Sequence, residues 1–338
     1  MSLFQDAASG YSLPVPPTLG FHASHEQFLP SRLLRLVQQA EEAGFDAIQC
    51  SDHIEPWGVE QGNSGFAFAW LGAAMQATSL PFTVVNAPGD RYHPAIVAQA
   101  IATLEEMFPG RFSVALGSGE AMNEHITGNP WPPKQLRTER LGECVEVIRR
   151  LLAGERVTHE GLVTVHEAKV WSLPETPPPL IAAALSPETA AWAASWADGL
   201  ITVNQSEEAL RRIVDAFEQG AGPDKPLMLQ VHLGWSENEA DALADAHRQW
   251  RGNLLPGPVG QELRLAEQFD LAAKFIGPED LCDSVDISAD LGWHADNLAR
   301  YEELGFDTLM LHNVGTNQEA FIDAFAGKVL PQLRVTGV

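Results

Sequence analysis

Glu-Ala-Gly-Phe-Asp at 42–46 and Glu-Leu-Gly-Phe-Asp at 303–307 are near copies lying towards opposite ends of a 338-residue chain. Each reads as a helix end, a glycine cap and a strand start. Before the first copy, Ser31–Ala43 places Leu33, Leu34, Val37 and Ala40 at helical spacing, and Gly44 follows as the stop. The same joint used twice suggests that the first and last strands of one sheet are built alike, without implying a repeat array.

Working outward from these joints, short apolar runs predict strands at Thr18–Ala23, Asp46–Cys50, Phe82–Asn86, Phe112–Leu116, Leu180–Ala184, Gly199–Val203, Leu227–Leu233 and Asp307–Leu311. Between them, helices are expected at Pro94–Phe108, which opens on proline, at Arg137–Ala153, at Pro187–Ala197 behind Ser186 as N-cap, and at Glu239–Trp250. Eight strands alternating with helices predict an α/β fold, a (β/α)8 TIM barrel with loop insertions. An open doubly wound sheet is the weaker alternative, because no G-x-G-x-x-G follows the first strand. Residues 1–17 read as a polar tail and 18–338 as one domain. Insertions are expected near 156–165, a hairpin around Glu160-Gly161, and near 252–276.

With 21 Lys+Arg against 45 Asp+Glu, the net charge is −24, which disfavours nucleic acid and anionic membranes as partners. At 45% hydrophobic the chain can fill a core. Three scattered cysteines, Cys50, Cys144 and Cys282, argue against a disulfide framework and suggest a cytoplasmic protein. The N-terminus lacks a signal-peptide pattern, and no apolar run is long enough to span a bilayer.

In a barrel of this kind, chemistry sits where strands end. Ser51-Asp52-His53-Ile54-Glu55-Pro56-Trp57 follows the second strand, Asn86 to His93 the third, and Gly117-Ser118-Gly119-Glu120-Ala121-Met122-Asn123-Glu124 the fourth. Leu185-Ser186 follows the fifth and Asn204-Gln205 the sixth. His53 is a candidate proton carrier and Glu120 its acid/base partner. Their plain structural roles are a loop-bonded mouth histidine and a carboxylate at a helix start. Trp57 could wall a flat ligand or simply pack. Asp52, His53, His93 and Glu120 could also serve a metal. No H-x-H follows the first strand, however, so no metal is expected, and a metal-dependent barrel hydrolase stands only as an alternative. No G-x-S-x-G elbow is present.

These stretches resemble the bacterial-luciferase-like superfamily of flavin and deazaflavin oxidoreductases. The resemblance runs through Leu19-Gly20-Phe21, Glu26-Gln27-Phe28, Ser51-Asp52-His53, Pro56-Trp57, Arg91-Tyr92-His93-Pro94-Ala95, Ala98-Gln99-Ala100, Gly117 to Glu124 and Ala197-Asp198-Gly199. Within the superfamily the chain is most similar to the branch of deazaflavin-dependent glucose-6-phosphate dehydrogenase. The resemblance implies proton transfer by His53 assisted by Glu120, with Asp52, Trp57, Gly119 and Asn123 around the cofactor. It also implies a non-proline cis peptide within Thr83–Asn86, so that Val84, Val85 and Asn86 back the ring. Leu185-Ser186 stands where the branch has a Gly-Gly pair near the cofactor phosphate, and Ala87 where threonine is frequent.

These departures make the chain similar to members that use FMN, with coenzyme F420 as the alternative. The branch holds its sugar phosphate with lysines and an arginine. After the sixth strand this chain has Asn204-Gln205, and the 252–270 stretch offers Arg264 and no lysine. The expected substrate is a small, non-phosphorylated organic molecule. The expected activity is two-electron oxidoreduction. The alternatives are an FMN monooxygenase fed by a flavin reductase, and a flavin-binding protein without turnover. A homodimer is expected from the superfamily.

Overall fold

A computed structural model describes residues 16–335; most of the expected N-terminal tail lies outside them. The two matching joints do the same work. Gly44 and Gly305 take φ of 92° and 98°, a left-handed conformation that glycine adopts without Cβ strain. The next amides, of Phe45 and Phe306, reach back to Ala40 O at 3.0 Å and Tyr301 O at 3.4 Å, closing each helix end. Both phenylalanines are buried. The aspartate that follows accepts a backbone N–H from the first residues of a neighbouring strand: Leu19 N to Asp46 Oδ2 at 3.0 Å, and Leu227 N to Asp307 Oδ2 at 2.9 Å. Asp198 does the same for Leu180 N at 2.9 Å. Each aspartate therefore satisfies an amide at the barrel's lower rim that would otherwise lack a partner.

The strands are β1 (Thr18–His22), β2 (Ala47–Ser51), β3 (Phe82–Asn86), β4 (Phe112–Leu116), the hairpin β5 (Val157–Glu160) and β6 (Thr164–Ala168), then β7 (Leu180–Ala183), β8 (Gly199–Val203), β9 (Leu227–Gly234), the short β10 (Asp286–Ile287) and β11 (Thr308–Asn313). Parallel pairing runs β9-β11-β1-β2-β3-β4-β7-β8, and β8 pairs with β9, which closes an eight-stranded barrel. The expected (β/α)8 fold is thus present. Several boundaries differ by a residue or more. The second strand starts at Ala47, since Asp46 is spent on Leu19, and β11 runs on to Asn313. The fourth helix begins at Lys134, directly behind Pro133, rather than at Arg137. The helix after β7 stops at Ala193, where the chain turns through Trp196. The hairpin's second strand extends to Ala168.

Strand side chains alternate inward and outward. Outward residues such as Val84, Val114 and Leu229 join the layer packed against the helices, and are fully buried. Inward, Ala47, Ala115, Ile181, Ile201, Met228 and Met310 fill the barrel floor. Gly20 makes room for this packing: a Cβ there would lie 2.2 Å from Met310 Sδ.

The 251–283 segment is a chain of short helical turns draped over one side of the mouth. Gly252 packs so closely on the loop after β2 that a Cβ would sit 2.8 Å from Trp57 O. Val59 N donates to Asp270 Oδ2 at 3.0 Å, and Ala121 N to Gln261 O at 3.2 Å. β10 then adds two residues to the top of β9.

Every peptide bond among the described residues is trans. The expected cis peptide in Thr83–Asn86 is absent, and β3 keeps unbroken register with β4 through Asn86↔Leu116.

Asp286 in β10 accepts from Asn297 Nδ2 at 2.7 Å and Tyr301 Oη at 2.9 Å. Burial pushes its carboxyl up to about 6 from 3.8, although these two hydrogen bonds favour the charged form. A raised acid in the folded state is stabilising when protonated, so its charge opposes folding above pH 6 and the penalty fades as pH falls from 6 towards 3.8. Asp286→Asn is therefore expected to raise Tm at pH 8 and to keep only about half of that gain at pH 5, as checked by thermal denaturation at both values.

Candidate active site

The residue at the end of each barrel strand, and the loop behind it, converge on one mouth. His53 enters from the loop after β2. Its Nδ1 lies 3.6 Å from Glu26 Oε1, both side chains being largely buried. Glu26 reaches this position from the loop after β1, where its other oxygen accepts from Ser24 Oγ at 2.9 Å. Neither His53 Nδ1 nor Glu26 Oε1 has another partner. The His53 ring also faces Trp57, with centroids 5.3 Å apart, and Trp57 stands edge-on to Phe269 of the insertion at 5.5 Å. The tryptophan is thus a buttressed wall at the mouth.

Glu120 comes from the β4 loop. Burial raises its pKa; the charges of His53 and Arg137 pull it down, and Glu26 pushes it up. His53, Glu26 and Glu120 therefore form one electrostatic group. Arg137 is buried, stacks 4.4 Å over Trp131, and donates to Gln261 Oε1 at 2.9 Å and Pro132 O at 2.8 Å. It ties the insertion to the Glu120 loop. The sequence does not single out Glu26 or Arg137, which the structure places beside His53 and Glu120. The Glu26-Gln27-Phe28 run beyond β1 was a signal for Glu26; nothing local marks Arg137.

The other expected site residues divide into two groups. Asp52 is buried, and its carboxylate accepts from Asn86 Nδ2 at 2.9 Å, Arg91 Nη2 at 3.2 Å and Tyr92 Oη at 3.4 Å. This makes it the anchor that holds the β2 and β3 loops together. Asn123 Oδ1 accepts from Ile54 N at 2.9 Å, fixing the His53 loop against the β4 loop. Gly119, at φ 81°, sits where a Cβ would come within 3.2 Å of Glu124 Cγ. Val84 points outward into the helix layer, which leaves its backbone on the side of the barrel interior. Val85 points inward and is partly exposed. Leu185 is exposed at the rim, and Ser186 caps the next helix by accepting from Thr189 N at 3.4 Å.

The floor of the mouth has two halves. Val85, Gly117, Ala183 and Val203 of β3, β7, β8 and the β4 end are small or apolar and partly exposed. Opposite them lie His22, Gln49, Gln230, His232 and His312 of β1, β2, β9 and β11, linked by hydrogen bonds and ring stacking. None of these five is a cation at neutral pH. Burial lowers His22 to about 3 and His232 to about 4, and pushes His312 well down, with the neighbouring histidines adding to the shift for His22 and His312. No group of three or more His, Cys, Asp or Glu side chains among the described residues is placed to hold a metal ion.

The site is thus the mouth of a closed parallel barrel that brings a histidine, two carboxylates and a tryptophan beside a small apolar floor. The chain belongs to the luciferase-like monooxygenase family, whose model matches residues 11–308. It is 35% identical over 327 residues to an F420-dependent glucose-6-phosphate dehydrogenase of Beutenbergia cavernae, covering 94% of this chain and 97% of that one. A similar protein of Microbacterium testaceum is 33% identical over 95% of this chain and 99% of its own. Among solved structures, an F420-dependent secondary alcohol dehydrogenase in complex with an F420-acetone adduct superposes with a TM-score of 0.88 at 31% identity, covering 95% of this chain and all of that one. The chain is thus an oxidoreductase with F420-dependent relatives. The expectation of FMN as main cofactor finds no support in them. No helix among the described residues is long and apolar enough to cross a membrane.

The depressed histidines set an acid limit. An unfolded histidine takes up a proton near pH 6.5, while the folded His22 and His232 refuse it until about 3 and 4. The stability this gives is complete above 6.5 and is lost as pH falls below it. Urea unfolding at pH 7, 6 and 5 is expected to show a falling midpoint, with a shallower fall in His22→Gln.

Proposed function

We propose that this protein is an F420-dependent dehydrogenase that oxidises a small, uncharged alcohol to its carbonyl compound. The observation that carries this reading is the polar half of the mouth, whose groups are neutral and of which His232 is the partly exposed member. The two arginines beside the site are committed within the protein, Arg91 to the Asp52 carboxylate and Arg137 to Gln261 Oε1, which weakens the site for a phosphate dianion. The relatives' F420 is preferred over FMN as cofactor, and the departures at Ala87 and Leu185-Ser186 are read as local variation.

The residues present fit a flat ring. Val85, Gly117, Ala183 and Val203 offer a small, partly exposed apolar floor, and buried Asn86 Oδ1 has no partner. When bound, the deazaflavin supplies a two-electron acceptor. His53 is placed to take the alcohol proton on Nε2, since its Nδ1 faces Glu26. Glu26 then stabilises the imidazolium across 3.6 Å. Glu120, with its proton affinity raised by burial, is the second acid/base group. Trp57 and the insertion behind it limit water at the mouth.

Titration of the protein with F420 and with FMN, followed by absorbance, is expected to give saturable binding with F420 only. FMN binding alone would overturn the cofactor assignment. His53→Ala is expected to lower kcat by about 10² or more with little change in F420 affinity. Secondary alcohols such as 2-propanol are expected to reduce F420, and glucose 6-phosphate to be inert at equal concentration. Oxygen consumption dependent on an added flavin reductase would support the monooxygenase alternative instead.

The protein is also proposed to form a homodimer through the helices at Ala67–Ala77 and Pro94–Met107. Phe66, Ile96 and Met107 are exposed around the groove between them, and the first helix carries no charged residue. In a chain of net charge −24, an uncharged apolar face is the surface on which a second copy meets least repulsion. Ile96→Glu is expected to shift the mass measured by light scattering from dimer to monomer without loss of Tm greater than a few degrees.

A further inference from the structure

We infer that His232 is the substrate-positioning donor of this site, offering Nδ1–H to an uncharged oxygen of the bound molecule. The inference rests on the proposed function for the identity of that molecule and on geometry for everything else.

A single glutamine amide sets the chemistry. Gln49 Nε2 donates to Gln230 Oε1 at 2.8 Å, which fixes the orientation of the Gln230 side chain across the barrel. The Gln230 NH2 then lies 3.1 Å from His232 Nε2 and 3.3 Å from His312 Nδ1. An amide NH2 can only donate, so both ring nitrogens accept and each imidazole carries its proton on the other nitrogen. For His312 that nitrogen is Nε2, which lies 3.3 Å from Gln27 Oε1. Gln27 Nε2 in turn donates to Val314 O at 2.8 Å and Gln249 Oε1 at 3.3 Å. On this branch the donor direction is consistent from Gln49 through Gln230, His312 and Gln27 to the carbonyl of Val314.

On the other branch the chain stops. His232 must carry its proton on Nδ1, and that N–H has no partner among the described residues. The ring is nonetheless held firmly. Asn204 at the end of β8 accepts from His232 N at 2.9 Å and donates to His232 O at 3.2 Å. Trp250 and His312 pack on the ring, at 5.0 Å and 5.5 Å between centroids. His232 faces inward from β9 and is partly exposed, so its open donor faces the mouth. Burial keeps the ring neutral. A fixed, neutral, unspent N–H discriminates for a lone-pair oxygen such as a hydroxyl, carbonyl or ether. It gives a dianion none of the charge that would offset its desolvation.

The test reads the tautomer directly. Long-range 1H–15N correlation spectra of the full-length protein with F420 added, assigned with His232→Phe, are expected to show His232 neutral at pH 7 with the proton on Nδ1. That signal is expected to move on titration with acetone. A proton on Nε2, a charged ring, or a signal unmoved by saturating acetone would overturn the assignment. Kinetically, His232→Phe is expected to raise KM for 2-propanol about tenfold, with kcat within about threefold and F420 affinity unchanged. His232→Asn, whose amide can place an N–H near the Nδ1 position, is expected to recover most of the loss. A fall in kcat at unchanged KM would also overturn it. Failure of F420 to bind would sink the proposed function, whereas the tautomer, read equally well without cofactor, decides the role of His232 separately.

Discussion

The two-residue period of a strand inside a closed barrel is the constraint on which the rest depends. Closure between β8 and β9 and between β1 and β11 leaves each strand one face for the helices and one for the interior. The interior is filled only up to the layer of Met228, Met310, Ile181 and Ile201. Above it, the next inward residue of every strand lines the mouth. His22 and His312 are therefore stacked, and Val85 and Ala183 partly exposed, because each sits two positions beyond a floor residue or its neighbour. Moving any one of these strands by a residue would put its helix-facing side chain into the site.

The same constraint explains which parts of the site were legible in the sequence. His53, Trp57 and Glu120 follow strand ends that alternation and glycine punctuation mark clearly, and the structure brings them together. The cis peptide that family likeness implies for Thr83–Asn86 is not present in β3. Asp52 and Asn123 were read as cofactor contacts. Their side-chain oxygens also hold the loops together, through Arg91 and Asn86 and through Ile54. A sequence names the groups able to make hydrogen bonds, but not the neighbours within the fold that share them.

Fold-level reading succeeded for a different reason. The joints at 42–46 and 303–307 encode local geometry, a left-handed glycine and a rim aspartate, and these need only a few residues to specify. The polar wall of His22, Gln49, Gln230, His232 and His312 needs five residues spread over four strands. Each looks ordinary in its own stretch: a glutamine amid apolar strand residues, or a histidine at a strand end. Only the pairing registers, such as His312↔His232, assemble them. Cofactor choice was the least legible, because departures at two loop positions outweighed a resemblance that extends over almost the whole chain.

The insertion over the mouth has a consequence for how the protein is made. The loop after β2 is braced by residues about two hundred positions later: Gln61 by the carbonyl of Gln249, Trp57 by Gly252, Val59 by Asp270. The β1 loop likewise waits for Val314 to receive Gln27. A nascent chain emerging from the ribosome therefore carries its key histidine long before the segments that hold it in place have been synthesised. The first strand's outer edge stays unpaired until β11 arrives. Site assembly becomes one of the last events of biogenesis, and a chain truncated within its final quarter would possess nearly all the chemical groups of the site without their arrangement.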